Sequence, residues 1–341
     1  MITSPATRVF LTRLIQELEH AGCCPILLRN HETFPDEIGN DLDIYIRPER
    51  LSHAFSILSS CASSQQGMIG HIHRRGYFVA IWLRFPDCNE PVHIDLYHGA
   101  LTWHGLHFLD AQEFVQKSQP AVSSCVYQIP SPCHEALISL LASILWGGFF
   151  KSRYQKQIAA LLADQEQSRA FTNHLEQFFG RKGAELAAAV ARGEAATLVD
   201  SAFSRKLRRN LFAHSLKTKP LASAIAWLHH WFEEFACYGW RLPGMVVEYD
   251  SAAWAPDDLE KFQNRLSAYF GDTHENTQRP SLNRRLKIQR LRGKNHLILL
   301  SSDRFTINHQ TYFASAEHTA SIAGEALEVL ARRIKYQHTL R

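Results

Sequence analysis

The sequence predicts an α+β protein, a mixed α/β chain with a small mixed sheet, an all-helical middle and a second α/β part near its end. Three observations predict it. Short runs alternating polar and apolar residues, the mark of half-buried strands, occupy the first hundred or so residues. Apolar residues at helical spacing then continue from about residue 110 to about 238. Beyond them, strand-like apolar runs alternate with amphipathic stretches again. At 341 residues the chain has room for two or three cores. The expected domains are 1–115, 116–237 and 238–341.

Taken in order, residues 6–21 carry Val9, Phe10, Leu14, Ile15 and Leu18 at helical spacing, and Gly22 ends that helix. Pro25-Ile26-Leu27-Leu28 starts a short strand, followed by a loop broken by Pro35 and Gly39. Gly39-Asn40-Asp41-Leu42-Asp43-Ile44-Tyr45-Ile46 alternates as a strand and is closed by Pro48. Leu51 to Ser60 reads as a helix covering the sheet or crossing it. Gly76 to Arg84 and Pro91 to Tyr97 read as neighbouring strands around a Pro86-Asp87 turn. Asp110-Ala111-Gln112-Glu113 opens a helix, and Ser131-Pro132 opens a long helical stretch through about 164. Helices at 167–179, 182–192, 194–213 and 221–238 follow. Strands at 244–249 and 296–300, with helices at 257–269 and 319–336, complete the prediction.

Composition narrows the function classes. A formal net charge of +4 is too small to argue for nucleic acid. The basic clusters Arg205-Lys206-Leu207-Arg208-Arg209 and Arg284 to Arg292 read first as solvated helix faces. Seven cysteines show no paired CxxC spacing, which fits reduced thiols in a cytoplasmic chain more than a zinc or disulfide framework. No cationic-then-apolar leader opens the sequence. The longest apolar run, Ala136 to Phe150, is shorter than the roughly 18–20 residues that span a bilayer. A buried helix is the expectation there.

The chemistry concentrates in three acids. In a strand, residues i and i+2 point the same way, so Asp41 and Asp43 share a face with Tyr45 while Leu42, Ile44 and Ile46 turn inward. Two aspartates so close repel unless a cation lies between them. A second alternating run, Val92-His93-Ile94-Asp95-Leu96-Tyr97, supplies a third acid in phase. If the strands pair, Asp41, Asp43 and Asp95 converge on the solvent-facing side as oxygen ligands for Mg²⁺ or Mn²⁺, with Asp95 the candidate general base. The nineteen histidines show no HExxH or other ligand spacing, and no GxSxG or Cys-His signature appears.

Leu27-Leu28-Arg29-Asn30, Pro35, Gly39-Asn40-Asp41-Leu42-Asp43-Ile44, His93-Ile94-Asp95-Leu96 and Trp103-His104-Gly105-Leu106 together resemble the DNA polymerase β-type nucleotidyltransferase superfamily, over about residues 1–115. The similarity is greatest to bacterial members that accompany surface-polysaccharide genes. The resemblance implies a helix-flanked mixed sheet, a Mg²⁺ site at Asp41, Asp43 and Asp95, and transfer of a nucleotidyl group from an NTP to a small or glycan-precursor acceptor. One departure stands out. Where the superfamily has a Gly-Ser or Gly-Gly pair to cradle the triphosphate, this chain has Arg29-Asn30. Arg29 and Asn30 are then substrate-binding candidates; the Arg29 fork matches phosphate oxygens, or else Arg29 is a partner of Asp36 or Glu37. Lys151, Arg153 and Tyr154, in Gly148-Phe149-Phe150-Lys151-Ser152-Arg153-Tyr154, are similar to a basic-aromatic cluster in the same branch. They are expected either at substrate phosphate or capping helix carbonyls.

From 238 onward the layout resembles, more faintly, a thymidylate kinase-like P-loop domain. Its phosphate loop is missing, because Glu248-Tyr249-Asp250-Ser251-Ala252-Ala253-Trp254 follows the first strand without the GxxxxGK[ST] that wraps phosphates. Packing, dimerisation or acceptor holding is the expected role. Two other readings of the chain stand beside the transferase. One is a glycosyltransferase whose DxD holds Mn²⁺ against a nucleotide sugar, although only forty residues precede the motif here. The other is a scaffold that keeps the fold without turnover.

Overall fold

A computed structural model describes residues 3–39, 41–85, 92–121 and 127–239, together with Glu260 and five later strands. The chain forms two compact units. One comprises Met1–Gln66, Arg74–Ala80 and Val92–Trp231, the other Gly67–His73, Ile81–Pro91 and Phe232–Arg341.

In the first unit, helix α1 (Pro5–His20) starts where the Ser4 hydroxyl accepts from the Thr7 amide, with Pro5 preset for the first turn. Its Phe10, Leu11, Leu14, Ile15 and Leu18 are buried, whereas Val9 faces out at 51% exposure. Strands β1 (Ile26–Leu27) and β2 (Leu42–Tyr45) pair antiparallel, Ile26 against Tyr45. A turn at Pro48–Arg50 leads into α2 (Leu51–Ser64), longer than the sequence suggests. Then come β3 (Met68–Arg75), which periodicity did not reveal, and β4 (Phe78–Arg84), of which residues 68–73 and 81–84 belong to the second unit. Strand β5 (Val92–Tyr97) lies parallel to β2, in the register Leu42–Ile94, Asp43–Asp95, Ile44–Leu96 and Tyr45–Tyr97. Parallel neighbours require a crossover, and the segment containing α2 supplies it.

A hairpin of β6 (Leu101–Trp103) and β7 (Leu106–Leu109) follows, turning at His104 and Gly105, both with positive φ. A Cβ on Gly105 would lie 2.5 Å from the Ala226 carbonyl oxygen, so glycine is needed for that approach. Helix α3 (Ala111–Gln116) is capped by Asp110. The short strands β8 (Gln119–Pro120) and β9 (Gln128–Ile129) then extend the sheet, β9 running parallel to β1. In the row β5-β2-β1-β9-β8, strands β2, β1 and β9 each have a neighbour on both sides.

Helix α4 (Pro132–Ala142) is buried on every side, with Ala136, Leu137, Leu140 and Leu141 at 0% exposure. The sequence predicts one helix through about 164. Instead a π-helical turn (Ser143–Gly147) ends at Gly148 with φ 80°, a left-handed conformation that stops the helix. The terminal carbonyls meet a residue read from sequence as part of a solvated face. Arg208 donates from Nε to Leu145 O (2.9 Å) and from Nη2 to Ile144 O (3.4 Å). Helices α5 (Tyr154–Leu161), α6 (Gln165–Phe179), α7 (Arg181–Ala191), α8 (Ala195–Leu198) and α9 (Ser201–Thr218) complete the bundle. Helix α10 (Pro220–Gly239) begins in the first unit. No helix among the described residues is long and apolar enough to cross a membrane.

The second unit contains β10 (Met245–Tyr249), β11 (Thr273–Asn276), β12 (Leu297–Ser301), β13 (Phe305–Ile307) and β14 (Gln310–Tyr312), ordered β11-β12-β10-β13-β14. The first three are mutually parallel, and β13 and β14 are antiparallel additions. The helices expected at 257–269 (apart from Glu260) and 319–336, the segment 250–254 and the basic run 284–292 lie outside the described residues.

Candidate functional site

The register of β2 and β5 builds the site. Asp43 sits directly beside Asp95 across the parallel ladder, and Asp41, two residues before Asp43, shares their face. One carboxylate oxygen from each of the three lies within 4.8 Å of the others. The sequence placed these acids on an open face, and here the structure corrects it. Asp43 is 2% and Asp95 7% exposed, because β2 and this part of β5 are buried on both faces; all four residues of β2 are buried. Asp41, just before the strand, keeps 26% of its side chain accessible.

Arg29 follows β1 and turns into this group. Its Nη2 donates to Asp41 Oδ2 at 3.2 Å, and its Nε donates to Asp43 Oδ2. Neither Asp36 nor Glu37 is its partner; Asp36 pairs with Arg8. His93, two residues before Asp95 on the same strand face, holds Nε2 2.9 Å from Asp95 Oδ1. Tyr97 stacks on Phe78 with centroids 5.5 Å apart, forming a wall near the acids.

Electrostatics follow from burial. Asp43 is pushed above the usual carboxylate range by desolvation, against the pull of Arg29 and with the help of Asp41. Asp95 is raised in the same way, with His93 opposing. For His93, desolvation alone would lower the pKa, yet its contact with Asp95 and the charges around it raise it. Burial likewise opposes the Arg29 charge, but Asp43 and Asp41 outweigh it and keep the guanidinium firmly protonated.

Asn30 has φ 56° and packs on the loop that leads to the acids; a Cβ on Gly39 would lie 2.8 Å from Asn30 Nδ2. That contact gives Gly39 a steric reason to be glycine. The loop is tied further by a network that no local pattern announces. His31 Nε2 lies 3.0 Å from Glu135 Oε2, and Gln157 Nε2 donates to Glu135 Oε1 (3.0 Å) and Glu32 Oε1 (3.2 Å). His31 and Glu135 are 104 positions apart, so only tertiary structure could reveal the pair.

Lys151 and Arg153 lie between the π-helical turn and α5, and Tyr154 opens α5. Arg153 Nη2 donates to the Tyr154 hydroxyl at 3.0 Å, its guanidinium lies 4.9 Å from that ring's centroid, and the Tyr154 amide donates to Lys151 O. Tyr154 is buried, at 4% exposure. Among the described contacts of these three side chains, none reaches Asp41, Asp43 or Asp95. The capping role considered for them belongs instead to Arg208.

The donor set of Asp41, Asp43 and Asp95 is all oxygen, anionic and convergent, which fits Mg²⁺ or Mn²⁺ and does not fit a metal that prefers sulfur or imidazole. No family model matches the chain. No curated protein matches it either. Two solved structures are similar over part of it. The crystal structure of JHP933 from Helicobacter pylori is 10% identical with a TM-score of 0.34, covering 67% of this chain and 99% of that one. A second crystal structure, of a candidate nucleotidyltransferase from H. pylori, is 10% identical with a TM-score of 0.33, covering 64% of this chain and 99% of its own. Similarity at this level carries no argument, so the reading of function rests on the site itself.

Proposed function

We propose that the chain is a divalent-metal-dependent nucleotidyltransferase that moves an NMP group from an NTP to a small acceptor, in the biosynthesis of a surface polysaccharide. The observation that carries this reading is the convergence of Asp41, Asp43 and Asp95 through the Asp43–Asp95 register. Three carboxylates held this close, two of them deeply buried, cost stability, and a metal-binding role accounts for that cost. A bound Mg²⁺ would polarise the α-phosphate and neutralise the departing pyrophosphate. Asp43 on β2 and Asp41 just before it would hold the ion together with Asp95 on β5. Asp95 Oδ1, steadied by His93, is the acceptor for the proton of the attacking hydroxyl. Arg29 supplies the planar cation that the polyphosphate meets in place of a glycine-rich loop.

A second reading has one specific observation in its favour. Arg29 already pairs with both Asp41 and Asp43, as it would in a scaffold that had replaced its metal with a salt bridge.

Thermal melting with each NTP, with and without Mg²⁺ or Mn²⁺, separates the two. The transferase predicts a metal-dependent rise in Tm with an NTP, lost in the Asp41→Ala, Asp43→Ala double variant. A rise with UDP- or GDP-sugars alone would point to glycosyl transfer. No rise with any of these ligands would leave the scaffold.

A further inference from the structure

We infer that Arg29 and the divalent cation exclude one another at the Asp41–Asp43 pair, so that the guanidinium holds the metal-free site closed and is released onto the substrate phosphates when metal enters. This inference rests on the metal-dependent reading above.

The geometry carries it. Arg29 directs Nε and Nη2 at the Oδ2 atoms of the two aspartates that a shared ion would need. An ion of the Mg²⁺ class sits about 2.0–2.1 Å from its oxygens. Bound to those Oδ2 atoms, it would fall within contact of the guanidinium nitrogens, two cationic groups in one desolvated pocket. The Arg29 side chain is 12% exposed and Asp43 2%, so water does little to screen that repulsion. The third ligand, Asp95, is held by His93 instead, so it needs no rearrangement of Arg29.

Two consequences follow. Metal alone binds weakly, because it must displace a guanidinium paired with both aspartates. An NTP strengthens metal binding, because its phosphates give the displaced guanidinium a new anionic partner; the coupling is reciprocal. Arg29-Asn30 in place of a glycine pair then does two jobs. It clamps phosphate in the loaded site and balances charge in the empty one.

The test is Mn²⁺ titration of the full chain without nucleotide, read by the loss of the free-ion electron paramagnetic resonance signal. Arg29→Gln is expected to bind Mn²⁺ about tenfold or more tightly than the wild type, and Asp41→Asn and Asp43→Asn to lose it. A larger Mn²⁺-induced rise in Tm for Arg29→Gln is expected as well. Equal or weaker binding by Arg29→Gln, with wild-type binding still dependent on Asp41 and Asp43, overturns the exclusion and leaves the metal site standing. Absence of Mn²⁺ binding in both proteins overturns the exclusion and the metal site together. Should Arg29→Gln fail to fold, the wild type decides: its Arg29 Nε–H resonance shifts on saturation with Mg²⁺, and a resonance that stays put while Mg²⁺ binds refutes the inference.

Discussion

Replacing Asp95 with Asn should stabilise the metal-free protein and destabilise it, relative to the wild type, once metal is present. Asp95 lies beside Asp43 in the ladder, with carboxylate oxygens inside 4.8 Å. At an effective dielectric of about 20, two unit charges at that distance repel by about 3.5 kcal/mol. Removing the charge forfeits the His93 contact, worth about 1.5–3 kcal/mol for a charged partner. The net gain is about 0.5–2 kcal/mol, or a Tm increase of about 2–4 °C per kcal/mol. Burial raises the Asp95 pKa, so the sign is consistent: its ionisation costs stability at neutral pH, and the gap between variant and wild type closes as pH falls through that raised pKa. With metal at about a hundredfold its Kd, the wild type gains about 2.7 kcal/mol and the variant little, so the order reverses. Thermal melts at pH 7 with EDTA or with Mn²⁺ read both arms. A variant less stable than the wild type in EDTA, or one that keeps the full Mn²⁺ response, would refute the reasoning.

Two further outcomes concern the helical bundle. His134, 2% exposed in the first turn of α4, is lowered from 6.5 to about 4, chiefly by burial, so it folds as the neutral ring. The unfolded chain then takes up a proton that the fold resists, and stability present above pH 6.5 is lost between 6.5 and about 4, by about 3 kcal/mol at most. His134→Leu should flatten that part of the urea-stability profile, and an unchanged slope would show that other groups cause it. Gly183→Ala in α7 should destabilise by about 3 kcal/mol although alanine favours helix, because the new Cβ would lie 1.9 Å from the Leu175 carbonyl oxygen of α6. A melt equal to or above that of the wild type would mean that the α6–α7 contact adapts without cost.

Legibility from sequence followed the range of the forces involved. Alternation and caps are local, and they sufficed for β2, β5, α1, α3 and the start of α4, as Ser4, Asp110 and Ser131 illustrate. They did not suffice for β3 or the β6–β7 hairpin, where alternation is poor and the turn depends on positive φ at His104 and Gly105. The helix expected through 164 breaks at Gly148 because carbonyls freed there find Arg208, sixty-odd residues away. His93 was within reach of the sequence, since it shares a strand face with Asp95 two positions on. His31–Glu135 was not.

The amino-acid order by itself determined which acids share a face, since a strand's period of two leaves Asp41 and Asp43 no alternative once the run is extended. It determined equally that no glycine pair follows β1 and no phosphate loop follows β10. Only the tertiary structure decided that Asp95 lands beside Asp43, because pairing register is set by contacts between segments fifty residues apart. It decided also that Asp43 and Asp95 are buried and that Arg29 lies among the acids. Both follow from covering a sheet on two faces, which leaves a desolvated carboxylate cluster only a cation for company.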